Sequence, residues 1–110
     1  MGDSTIATVG DETSFDTKVL QATKPVLVMF TASWNGPAKQ LEPIVQEVVR
    51  AYENQLLTYK CDIDENPLTA KRAGVMTVPV LHIYKNGEQH AKAVGSLSRA
   101  KVEEWITSSL

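Results

Sequence analysis

Few side chains in this sequence have the chemistry of a soft nucleophile or a transition-metal ligand: one cysteine, Cys61, and two histidines, His82 and His90. Thiol-disulfide exchange needs a thiolate to attack a disulfide and a second thiol to resolve the mixed disulfide. Cys61 alone therefore permits at most one-thiol chemistry, as a redox sensor or a thiol-transfer site. Its place in the alternating series Leu57, Tyr59, Cys61, Ile63 reads instead as a small buried hydrophobe. A two-residue turn at Asn86-Gly87 pairs residue 83 with 90 and 82 with 91, which sends the two imidazoles to opposite faces and argues against a shared metal. No metal or other cofactor is expected. Ser33 lacks the histidine and carboxylate arrangement of a hydrolase nucleophile. Lys60 alternates away from Tyr59 and Cys61 and reads as a snorkelling side chain; if buried, it needs an acceptor, or its proton is held less tightly. Trp34 is different in kind. A large indole in a loop before a helix is costly to leave in water unless it covers something or meets a partner.

Positioning these residues calls for alternating strands and helices, in the order β-α-β-α-β-α-β-β-α. Thr5 to Val9 reads as a peripheral strand. Asp11 is placed to cap a helix with Phe15, Val19 and Leu20 on one face, ending before Lys24-Pro25. Val26 to Phe30 is apolar on both faces, as a central strand covered on both sides must be. Pro37 suits the first turn of a long helix in which Leu41, Ile44, Val45, Val48 and Tyr52 recur at helical spacing, with Pro43 expected to kink it. Leu57 to Ile63 alternates as a strand. Pro67 opens a short helix that Gly74 can close in a left-handed conformation. Val80 to Tyr84 and Gln89 to Val94 flank Asn86-Gly87 as a hairpin, and Ser98 caps a terminal helix with Val102, Trp105 and Ile106 facing inward. Parallel strands joined by helical crossovers, with the hairpin at one edge, give a three-layer α/β/α sandwich.

The composition fits one domain spanning residues 1–110. The chain has 110 residues, 43% of them hydrophobic and 22% charged, enough to bury a core without disulfides or metal. Thirteen acidic and eleven basic residues give a net charge of -2 with no basic block, which argues against nucleic acid as a partner. No apolar run has the length of a membrane span, and MGDSTIATVGDE lacks the features of a signal peptide. The expected location is cytoplasmic and the expected state a monomer.

Three stretches point to one family: VLVMFTASWNGPAKQLEP at 26–43, VMTVPV at 75–80, and KNGE at 85–88 followed by Gly95. On these residues the chain resembles the thioredoxin family, over roughly positions 5 to 109. The resemblance implies the thioredoxin fold: α/β, with a central five-stranded mixed sheet and four helices. In the family the loop reads Trp-Cys-Gly-Pro-Cys, and its two cysteines carry thiol-disulfide exchange. Here the same positions read Trp34-Asn35-Gly36-Pro37-Ala38. An amide is not a nucleophile at neutral pH, and Ala38 has no functional group. Asn35 is, however, a residue that can cap the helix after the loop. Met29 stands where many members carry a buried aspartate that moves protons, while the usual lysine is kept as Lys60. Read without the family, Met29 is flexible apolar filler in the core.

The resemblance also implies that Val78-Pro79 is the family's cis-proline segment, where the residue before proline offers its N–H and C=O to an extended strand of the partner. Trp34, Gly36, Pro37, Met76, Val78, Pro79 and Gly95 would line a shallow apolar groove, a partner site by its nature. The expected function is that of a redox-inactive thioredoxin-like protein that binds extended protein segments through this groove. By resemblance, thioredoxin reductase is a further partner. The first alternative is a disabled form, natural or engineered, of a thioredoxin whose family function is protein-disulfide reduction. Weaker alternatives are a Cys61 redox sensor and a structural domain that stabilises a complex through its apolar surfaces.

Overall fold

A computed structural model describes residues 6–110. Its elements run β1 (Ile6–Thr8), a π-helical segment (Asp16–Leu20), β2 (Val26–Thr31), α1 (Gly36–Val49), a 3-10 turn (Arg50–Tyr52), β3 (Leu57–Asp62), α2 (Pro67–Arg72), β4 (Val80–Lys85), β5 (Glu88–Val94) and α3 (Arg99–Ser109). The five strands form one sheet in the order β1-β3-β2-β4-β5. Strands β1, β3 and β2 are parallel, whereas β4 is antiparallel to both β2 and β5. This is the expected mixed sheet with helices on both faces. Thr5, the first residue of the expected first strand, lies outside the described residues.

All six residues of β2 are buried, and its alternation divides the core into two layers. Val26, Val28 and Phe30 face a cluster with Phe15, Val19, Cys61, Ala70 and Tyr84. Leu27 and Met29 face the other way, against Leu41, Val45 and Val48 of α1 and Val102 and Ile106 of α3. Strand β3 follows the same division, since Leu57, Tyr59 and Ile63 pack with Cys61 on the first side. Thr58, on the opposite side, is also buried, because helices cover that face too.

The first helix departs from the α form. Asp11 caps the turn as expected: its Oδ1 accepts the backbone N–H groups of Thr13 and Ser14 at 3.1 and 3.0 Å. The chain then widens, with Gln21 N–H donating to the Asp16 carbonyl at 2.9 Å in an i→i+5 bond. A wider turn brings Leu20 round towards the face already occupied by Phe15 and Val19, which an α-helix would not do, and Leu20 packs against their cluster.

Helix α1 runs unbroken through Pro43. Pro43 lies on its exposed side, where water can serve the carbonyl that proline leaves without a donor. Gly74 takes φ +75° just after α2, and Ser98 Oγ accepts Lys101 N–H at 3.2 Å at the start of α3.

The hairpin corrects one expectation. Asn86 and Gly87 both have positive φ, 52° and 80°, as a tight two-residue turn with the right twist requires. Lys85 pairs with Glu88 and Tyr84 with Gln89, but Ile83 then pairs with Ala91 and His82 with Lys92. The expected pairs, 83 with 90 and 82 with 91, are displaced by a β-bulge that leaves His90 unpaired. The turn also touches the π-helical segment: a Cβ on Gly87 would sit 2.9 Å from the Leu20 carbonyl oxygen.

Candidate functional site

The parallel arrangement of β2 and β3 places the turn after each strand at the same end of the sheet. Antiparallel β4 begins at that end, because Val80 pairs with Phe30. The loop at 32–35, the turn at 63–65 and the segment leading to Pro79 therefore converge. Asn35 N–H donates to the Ala32 carbonyl at 3.1 Å, and the Asn35 carbonyl accepts Lys39 N–H at 3.1 Å. Asn35 Oδ1 accepts Ala38 N–H at 2.8 Å. Asn35 is thus the N-cap of α1, satisfying a helix N–H that has no partner within the helix. Ala38 is fully buried, while Gly36 and Pro37 are exposed.

Trp34 is 66% exposed, yet its indole is not loose. Its Nε1–H donates to Asp64 Oδ2 at 2.6 Å. Asp62 shapes the turn that presents Asp64, its Oδ1 accepting the N–H groups of Asp64 and Glu65 at 2.8 and 3.2 Å. Asp64 was missed in the sequence because nothing local ties a turn carboxylate to an indole thirty positions earlier.

On the other wall, the Val78–Pro79 peptide bond is cis. Met76 is 92% exposed, Val78 half-buried and Pro79 buried. The Pro79 carbonyl accepts Gly95 N–H at 2.9 Å, which ties the end of β5 to this wall, and Gly95 takes φ +93°. Within the described residues, the backbone N–H and C=O of Val78 make no hydrogen bond. Val94, next to Gly95 at the end of β5, is exposed as well, a residue that alternation in the strand did not single out.

Met29 is fully buried on the α1 side of the sheet. Lys60 is its partner in the β2–β3 register, and the ammonium finds its acceptor in Glu42 of α1, at 3.2 Å. Both side chains are about one-third exposed, 37% and 33%, so Lys60 snorkels with a partner. Thr31, Ser33, Lys39, Glu42, Lys60 and Asp62 help line an open cleft of about 400 Å³. Its lysines and carboxylates are mixed, and no group of three or more metal-ligating side chains occurs among the described residues.

Cys61 is fully buried. Burial pushes its thiol up to about 12, and the nearby charges of Glu12 and Asp62 act in the same direction. The thiolate that exchange chemistry needs is therefore scarce at neutral pH. His82 is buried with its Nδ1 3.0 Å from the Tyr84 hydroxyl, and its ring meets Phe30 edge-on at 5.0 Å between centroids. His90 is exposed. The two imidazoles do not share a site.

Comparison with known proteins agrees with this geometry. Residues 6–108 match the family model described as Thioredoxin. The thioredoxin of Acidithiobacillus ferridurans is 41% identical over 97 residues, covering 88% of this chain and 90% of the relative. That of Pseudomonas aeruginosa is 37% identical over 99 residues, covering 90% and 92%, and that of Rickettsia conorii is 36% identical over 99 residues, covering 90% and 94%.

Proposed function

Because the chain belongs to the thioredoxin family, we propose that it is a member without disulfide reductase activity, which binds an extended segment of a protein partner between the Trp34–Pro37 loop and the Val78–Pro79 segment. The observation that carries this reading is the unpaired backbone of Val78 beside a loop whose sulfur positions hold Asn35 and Ala38. An extended peptide could exchange main-chain hydrogen bonds with Val78, as a strand added to a sheet does. Trp34, Met76 and Val94 supply exposed apolar surface for its side chains. Disulfide reduction, the family's function, needs an attacking thiolate that forms a mixed disulfide with one substrate sulfur and expels the other as a thiol. A second thiol must then attack that mixed disulfide, closing a disulfide within the protein and releasing the remaining substrate sulfur as a thiol. Neither position retains a sulfur, and the single thiol is in the core.

Two measurements test this. In thioredoxin-reductase-coupled reduction of a protein disulfide, the unsubstituted chain should be silent and the Asn35→Cys/Ala38→Cys double variant should turn over. Turnover by the unsubstituted chain would refute the loss of activity. For the groove, Val78→Asp and Trp34→Ala should each weaken binding of an extended peptide at least about tenfold, a cost of roughly 1.4 kcal/mol. Unchanged binding in both variants would remove the site.

A further inference from the structure

The role of Asn35 extends beyond capping. A carboxamide is planar and carries its acceptor and its donors on different atoms of one rigid group. Asn35 Oδ1 is held by Ala38 N–H at 2.8 Å, and the opposite flip would set donor against donor. The orientation of Nδ2 is thereby fixed, directed away from the bond to Ala38. No hydrogen bond within the described residues uses Nδ2. Nor is it a buried orphan, since the buried side-chain polar atoms without a hydrogen bond among the described residues are Asp16 Oδ1 and Asn66 Oδ1. Nδ2 therefore meets solvent, on a residue that stands between Trp34 and Gly36 in the loop. Capping alone does not call for this group, because serine or aspartate caps a helix about as well.

We propose that Asn35 Nδ2 is a specificity-determining donor, which binds a neutral main-chain carbonyl oxygen of the peptide in the groove. This rests on the groove reading above and names what the partner presents at the position where the family has its attacking sulfur. Approach is open: a Cβ placed on Gly36 would have nothing within 4 Å. A carboxylate acceptor is disfavoured by the Asp64 carboxylate already on the Trp34 indole. A ligand donor at this point would face another donor and be rejected.

The probe is a peptide selected from a random-sequence phage library on the immobilised unsubstituted chain, with its Kd then measured by calorimetry. Asn35→Gly, a residue tolerated at a helix N-cap, withdraws the donor without adding charge, and should weaken binding about three- to tenfold, the range for a neutral hydrogen bond. Asn35→Asp keeps the cap, replaces the donor with a carboxylate, and should weaken binding more. In the unsubstituted chain, the Asn35 side-chain NH2 resonances should shift when the peptide binds. If Asn35→Gly binds within twofold of the unsubstituted chain while Val78→Asp abolishes binding, the donor is overturned and the groove stands. Weakening by Asn35→Asp alone would mean charge repulsion and would equally overturn it. If no peptide is selected, or if Val78→Asp and Trp34→Ala both bind normally, the groove reading fails and the donor with it.

Discussion

At the scale of single residues, Cys61 is a thiol with nothing to draw off its proton. It is fully buried, and burial with nearby negative charge pushes its pKa up to about 12. We expect a maleimide reagent at neutral pH to leave the folded chain unmodified and to label Cys61 fully once the chain is denatured. Rapid labelling of the folded chain would restore the one-thiol sensor as a serious reading. The alternating series around Cys61 was sufficient to place it in the core, because alternation is a local property of a strand. The partners of Trp34 and Lys60 were not legible in the same way. Asp64 and Glu42 reach them across the fold, and a side chain's acceptor leaves no periodic trace when it lies on another element. The capping role of Asn35, by contrast, was legible, since its acceptor and the Ala38 N–H it serves are only three residues apart.

At the scale of elements, α2 depends on a residue far away in the chain. Asn66, at its start, makes no side-chain capping bond. Glu12 does so instead, its carboxylate accepting Leu68 N–H at 2.7 Å, and Thr69 N–H and hydroxyl at 2.8 and 2.6 Å. These bonds hold the Glu12 carboxyl below its ordinary range against the opposing effect of desolvation. Glu12→Ala should lower the thermal midpoint by a few degrees, and faster amide exchange at Leu68 and Thr69 should accompany it. Unchanged exchange at both amides would show that α2 does not rely on this carboxylate. Proline at 67 announced the helix from sequence, but its cap could not be read there, because Glu12 lies 56 residues before Leu68. The hairpin shows the same division. Asn86-Gly87 fixed the turn, whereas the bulge at His90 shifted the register beyond it, and one inserted residue has no local signature.

At the scale of the whole molecule, the two-sided burial of β2 was visible as a continuous apolar run, and it dictated the three layers. Within that core, His82 makes folding sensitive to pH. Desolvation, aided by the charge of Lys92, pulls its pKa from 6.5 down to about 4. The groups around it are the Tyr84 hydroxyl and the Phe30 ring on its own side of the sheet, with Lys92 its partner in the hairpin register. The folded state resists a proton that the unfolded chain accepts near 6.5, so this contribution to stability is complete above that pH. It is lost progressively as pH falls towards about 4 and does not change further below it. The lowered carboxyls of Asp11 and Glu12 act in a more acidic window, below their ordinary values of 3.8 and 4.5. Urea midpoints should therefore decline between pH 6.5 and 4, and His82→Leu should flatten that decline even though it leaves the Tyr84 hydroxyl without its partner. An equal decline in both proteins would assign the effect elsewhere. The contact at Gly87 has a consequence of another sort. An exposed Asn-Gly hairpin is the customary place to graft a foreign loop or split a chain. Here a side chain at position 87 would press on the Leu20 carbonyl, so a graft that replaces Gly87 must displace the π-helical segment, and that position is a closed door to protein engineering.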